Sequence, residues 1–259
     1  MSIALISIIL GSMAAMTALW LVWLKNGKSA IVDVGWSTCL LGAIVYLAVI
    51  GTGSFERRML LLLLAGGWCL RLGLHLFRDR VLTTHQDGRY VRMLNACGDK
   101  AKLAMFLFFQ AQAVFALIFS LPIAGAMFGR SGRLDWLDAL GVLIGLGAIT
   151  GESIADKQLA VFRARPETKG TTCREGLWKY SRHPNYFFEW LFWFSFLPIA
   201  WGTEFWWMAA TGPFTMLFFL LKLTGIPHTE RQAASHRPDY ATYQKETPMF
   251  FPGPPRRTS

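Results

Sequence analysis

Leu177-Trp178-Lys179-Tyr180-Ser181-Arg182-His183-Pro184-Asn185-Tyr186-Phe187-Phe188-Glu189 runs straight into an apolar stretch at 190–201. A cationic box followed at once by Trp, Phe, Leu and Ile is the pattern of a chain entering a bilayer from its surface. Composition extends that reading to the whole chain. Of 259 residues 53% are hydrophobic and only 16% charged, against roughly 25% charged in a soluble domain. Eleven Trp and twenty Phe suit lipid and its interface. A formal net charge of +10 would fit a nucleic-acid binder. In so apolar a chain the cations belong instead to a cytoplasmic face, anionic headgroups or a phosphorylated ligand, and no nucleic-acid partner is expected.

Working outward from the box, seven apolar runs approach the ~20 residues that cross a ~30 Å hydrocarbon core. They lie at 2–24, 30–50, 58–78, 103–128, 136–162, 186–201 and 204–223. The expectation is an all-α polytopic membrane protein with seven transmembrane helices. It forms one domain over 1–259, with a C-terminal signature region from about 134 to 259. The sixth run is short, and the tight Gly202-Thr203 connector makes it a hairpin with the seventh. The N-terminus has neither a basic stretch before the run at 3–24 nor an A-x-A cleavage site, so that run reads as a retained span. Cys39, Cys69, Cys97 and Cys173 form no CxxC pair and no cluster with His, so neither a disulfide framework nor a metal site is expected.

Lys and Arg set the orientation. The second and fourth connections hold four, Arg57, Arg58, Arg130 and Arg133, whereas the opposite side carries twenty. That places the N-terminus outside and the C-terminus in the cytoplasm. The third and fifth connections are Arg-rich, punctuated by Asp87-Gly88-Arg89-Tyr90 and Arg165-Pro166-Glu167. They are ordinary cytoplasmic loops or a cover over an anionic ligand.

Ionisable groups inside the runs are expensive and often functional. Asp33 lies near the start of the second run, with Trp36 at i+3, and either caps that helix with Ser29 or acts chemically. Arg71, His75 and Arg78 at i, i+4, i+7 share one helix face. Glu152, Asp156 and Arg163 share a face of the fifth run, where Gly141, Gly145 and Gly151 read as helix-packing positions. In the box, Pro184 suits a first helical turn, which puts Asn185 and Glu189 on one face. Lys179, Arg182 and His183 stand just outside that helix N-terminus, a mouth for phosphate or carboxylate. A cationic anchor would account for the Arg and Lys but not for Asn185 or Glu189. The tail from Gly225-Ile226-Pro227-His228, with Arg231, Arg237, Tyr240 and Tyr243, is an interfacial helix or part of the same cover.

The string from Gly176 to Tyr186 with Glu189, and the tail from Gly225 to Pro252, resemble the C-terminal signature of the steroid 5α-reductase superfamily. Ile31-Val32-Asp33-Val34-Gly35-Trp36 and the loop from Arg78 to Tyr90 fit its bacterial membrane members. The resemblance implies seven helices and NADPH held under cytoplasmic loops. It makes Arg78, Arg89, Tyr90, Asp156, Arg163, Tyr180 and Asn185 candidate cofactor contacts, with Lys169, Glu189, His228 and Arg231 beside them and His183 from the mouth. In the eukaryotic steroid enzymes a Glu in helix two and a Tyr in helix three grip the 3-oxo group. Asp33 and His75 stand there in this chain, keeping an acid and replacing a phenol by an imidazole.

The implied activity is NADPH-dependent reduction of the conjugated C=C of a lipophilic enone, such as a 3-oxo-Δ4 steroid. Hydride goes to the β carbon while Asp33 and His75 polarise the carbonyl. The substrate enters from the bilayer, membrane lipids surround the chain, and it acts as a monomer. Three alternatives stand beside this. Isoprenoid or phospholipid methyltransferases of the same superfamily are similar in the box but use S-adenosylmethionine, which has no need of so many Arg. A non-catalytic lipid-binding protein would have no use for the polar stripe. A transporter would show inverted repeats or broken helices.

Overall fold

The computed structural model describes residues 1–82, 88–223 and 225–256, without the side chains of 79, 80 and 89. Among these residues every regular element is helical. Among the described residues six helices are long and apolar enough to cross a membrane: Ser2–Asn26, Ile31–Ile50, Phe55–Leu76, Tyr90–Met127, Trp136–Ala164 and Trp206–His236. This fits an integral membrane protein. By their contacts the residues divide into two units, Met1–Asp135 with Ala200–Ala209, and Trp136–Ile199 with Ala210–Ser259.

The first unit is built around α2 (Ile31–Ile50), which packs against α1 (Ser2–Asn26), α4 (Gly67–Leu76) and α6 (Ala101–Met127). Small residues let these helices approach. A Cβ at Gly35 would meet Leu19 of α1, and Ser37 of α2 faces Gly73 of α4. The third span is not one regular helix. α3 (Phe55–Leu61) passes through a π turn at Leu62–Gly66 into α4, and a second π turn covers Phe77–Val81. Arg78 lies in that second turn, so the helical phase that would join it to Arg71 and His75 changes just before it. The short α5 (Gly88–Cys97) turns Tyr90 into a cluster with Met16, Trp23, Val32, Met105 and Phe109. Asp87, which was read with the residues after it, lies outside the described residues.

The far end of this unit is fastened by arginine. Arg57 is fully buried, and its guanidinium donates to the carbonyls of Arg130 (2.5 Å), Gly132 (3.1 Å) and Arg133 (3.0 Å). Arg58 donates to the carbonyls of Ala48 (2.6 Å), Val49 and Gly53, where α2 ends without helical partners. Arg130 pairs with Asp135.

The second unit starts from α7 (Trp136–Ala164), against whose glycine face α8 (Pro184–Phe192) packs. A Cβ at Gly151 would enter the ring of Phe188. After α8 the chain tightens to a 3₁₀ turn at Trp193–Ser195 before α9 (Phe196–Ala200). Pro198 has no N–H for the carbonyl of Phe194, and Ser195 Oγ turns back to the carbonyl of Phe192 at 2.6 Å. Composition alone reads 186–201 as one run, whereas the backbone hydrogen bonds divide it. α10 (Trp206–Phe218) continues through a π turn at Phe219–Leu223, and α11 (Ile226–His236) and α12 (Tyr240–Glu246) form the tail.

Candidate functional site

In the first unit, Tyr90 Oη donates to Asp33 Oδ1 at 2.7 Å. The phenol is 4% exposed and the carboxyl half-buried. Asp33 is thus no simple helix cap; it holds a phenol from α5 inside an apolar cluster. One turn on, the Trp36 indole N–H is buried and makes no hydrogen bond among the described residues, so a donor is spare on the same helix. His75, in the last turn of α4, and Arg78 in the π turn are exposed, while Arg71 is half-buried. Arg89 lies on α5, and its side chain is outside the described residues.

In the second unit, the box is built against α7. Gly176 sits at φ 56°, where other residues strain, directly under Gln158. Gln158 Oε1 accepts from the Leu177 N–H at 2.9 Å, and Trp178 Nε1 donates to the Ala155 carbonyl at 2.9 Å. Pro184 takes the first position of α8. This brings Asn185 Nδ2 to Asp156 Oδ1 at 3.2 Å, joining two of the candidate residues. Glu189 follows one turn later and is half-buried, as is His228 on α11, whereas Tyr180, Lys169 and Arg231 are exposed.

The expected anion mouth is occupied by the tail. Arg182 donates to Glu230 Oε1 (2.7 Å) and to the carbonyls of Gln244 (2.7 Å) and Thr247 (3.2 Å). His183, 2% exposed and stacked on Tyr186, faces the same Glu230 oxygen at 3.3 Å. Ser181 Oγ donates to the Phe250 carbonyl and Gly253 N to that of Tyr180. Arg174 pairs with Glu246, and Thr172 gives two hydrogen bonds to Asp239. Burial pushes the phenols of Tyr240 and Tyr243 well above their usual range, so both stay neutral. Burial likewise pushes up the Cys173 thiol, which disfavours its thiolate.

Other cations escape this network. Arg163 and Lys169 line an open cleft of about 190 Å³ together with Arg237, Gly170, Thr171 and Phe162. Gln158 and Glu230 were not singled out from sequence, and Arg237 was named only as part of the tail. Gln158 meets Leu177, 19 residues on, and Glu230 meets Arg182, 48 residues back, while Arg237 lines its cleft with Arg163 from far along the chain; only the polarity of the tail hinted at them.

A family model described as "protein of unknown function (DUF1295)" matches residues 19–247. The chain belongs to this family. It is a steroid 5α-reductase-like family, and the match takes in α2, the Asp33–Tyr90 pair, the box and α11. No curated protein and no solved structure matches the chain.

Proposed function

We propose that this family member is an NADPH-dependent membrane reductase acting on the conjugated C=C bond of a lipophilic enone, with 3-oxo-Δ4 steroids as the model substrate class. The observation that carries the reading is the 2.7 Å bond between Tyr90 and Asp33. An acid and a phenol held together in an apolar cluster are chemistry that packing alone does not call for. An enone oxygen placed beside the pair can take the phenol O–H in exchange for the Asp33 oxygen that now accepts it. As the C=C accepts hydride at its β carbon, its electron pair moves towards oxygen. A donor fixed beforehand stabilises that charge without reorganising. Asp33 orients the phenol. His75 on α4 is the donor that the resemblance implies, and variants of the two residues separate them. The α carbon takes its proton from solvent.

The donor set of the second unit supports the cofactor. Arg163 and Lys169 suit phosphate, and the Asn185 amide is fixed by Asp156. Tyr180, Glu189, His228 and Arg231 complete the candidates there, and Arg78 and Arg89 those of the first unit. NADPH supplies the hydride when bound. A sulfonium ligand such as S-adenosylmethionine would bring a cation to a cationic cleft.

The reading includes seven crossings, the N-terminus outside and the cofactor on the cytoplasmic side. Opposite termini need an odd number, and the helical stretch 184–200 supplies the seventh at roughly 25 Å, short but compatible with a thin bilayer. The charge asymmetry is sharper than a count suggests, because Arg57, Arg58 and Arg130 on the sparse side are engaged by carbonyls or Asp135.

Thermal unfolding of the detergent-solubilised protein tests the reading. NADPH raises Tm and S-adenosylmethionine does not, and NADPH is consumed when a 3-oxo-Δ4 steroid is added. Absence of any shift with NADPH would sink it.

A further inference from the structure

Six cations at the end of α7 and beyond it fall into two sets. Arg165, Arg174 and Arg182 are committed to Glu175, Glu246 and Glu230, each at 2.7 Å. Arg163, Lys169 and Arg237 meet no carboxylate in an ion pair among the described residues, and all three line the 190 Å³ cleft, whose wall carries no acidic side chain. Two guanidinium groups and an ammonium gathered without a counter-charge repel one another unless an anion joins them.

The hydroxyls nearby add no donors, since Thr168 Oγ1 donates to the carbonyls of Phe162 and Arg165, and Thr171 Oγ1 to that of Thr168. Recognition therefore rests on charge. The cleft is smaller than the ~300 Å³ at which drug-sized pockets begin, so it suits one group of a ligand and not a whole dinucleotide.

We propose that this cleft takes a phosphate monoester dianion, that on the reductase reading, on which this rests, the dianion is the 2′-phosphate of NADPH, and that Arg237 selects NADPH over NADH. A monoester carries about −1.5 to −2 charges at neutral pH and offers three acceptor oxygens, matched to guanidinium forks. The ribose hydroxyl of NADH is neutral and leaves the three cations facing one another.

The test is the dissociation constants of NADPH and NADH for the full chain in detergent, for the parent, Arg237→Gln and, as an exposed second variant, Lys169→Gln. The parent prefers NADPH. Each substitution weakens NADPH binding roughly ten- to hundredfold, the loss of one charge-assisted contact, and leaves NADH binding in place. Equal affinities in the parent, or substitutions that weaken both dinucleotides alike, overturn the assignment while sparing the reductase reading. If neither dinucleotide binds, both fall. Arg237-dependent binding of nanodiscs containing phosphatidic acid, without any NADPH preference, also overturns it.

Discussion

Replacing Tyr90 by Phe removes one oxygen from the first unit and leaves the ring in its cluster with Met16, Trp23 and Phe109. What is lost is the phenol O–H and with it the 2.7 Å bond to Asp33. A hydrogen bond to a carboxylate contributes about 1.5–3 kcal/mol, and the lower end applies because Asp33 is half-buried and water can replace the phenol. At about 2–4 °C per kcal/mol for a chain of this size, Tm falls roughly 3–6 °C. The catalytic loss is larger. A donor aimed at developing oxyanion charge contributes about 2.7–4 kcal/mol to the transition state, or 10²–10³ in kcat. Steady-state NADPH oxidation with a 3-oxo-Δ4 steroid measures it, with NADPH affinity as the control that must not move. Asp33→Asn produces a similar loss, and the double variant falls little further because the two residues act as a unit. Tyr90→Phe turning over within a few-fold of the parent while His75→Ala loses 10²-fold would refute this reasoning and return the donor role to His75.

Arg57→Ala removes a fully buried side chain and the donor to the carbonyls of Arg130, Gly132 and Arg133, so stability in detergent should fall by about 1.5–3 kcal/mol; a Tm change within 2 °C of the parent would show that water replaces the guanidinium. Gly151→Ala drives a methyl into the Phe188 ring and costs about 1–3 kcal/mol, whereas Gly147→Ala on the same helix meets open space and is neutral or mildly stabilising; equal Tm values for the two variants would contradict that packing. The phenols of Tyr240 and Tyr243 resist ionisation when folded, so above pH ~10 the unfolded chain releases protons that the folded chain keeps. Stability present below pH ~10 is then lost as pH rises, and Tyr240→Phe should flatten a Tm profile taken between pH 9 and 11; an unchanged slope in that variant would mean that other groups set it.

Much of the bundle was legible because crossing a bilayer imposes a length and a hydropathy that composition records directly. The helices at Ser2–Asn26, Ile31–Ile50 and Trp136–Ala164 fall within two residues of their apolar runs. The run at 186–201 was less faithful, since hydropathy cannot see that Pro198 and Ser195 interrupt the backbone ladder. The third connection misled for the opposite reason. Its polar sequence reads as irregular, yet Gly88–Cys97 is helical, and the turn it makes delivers Tyr90 to Asp33. Asp33 itself was visible as an acid near the start of an apolar run, and Tyr90 was named as a cofactor contact; that the two meet across 57 residues was not legible.

The cations show most clearly what local reading leaves out. Arg163, Arg165, Arg174 and Arg182 lie within twenty residues of one another, and by sequence each is an Arg in a cytoplasmic loop. What separates them is where the acids of the tail and loop fall. Glu246 reaches Arg174, Glu230 reaches Arg182, and Glu175 forks onto Arg165. None of these acids reaches Arg163, and the tail there brings Arg237 instead. The same tail therefore neutralises the box that looked like an anion mouth and assembles an uncompensated cleft beside it. A cation count measures topology, but an anion site is defined by the acids that stay away.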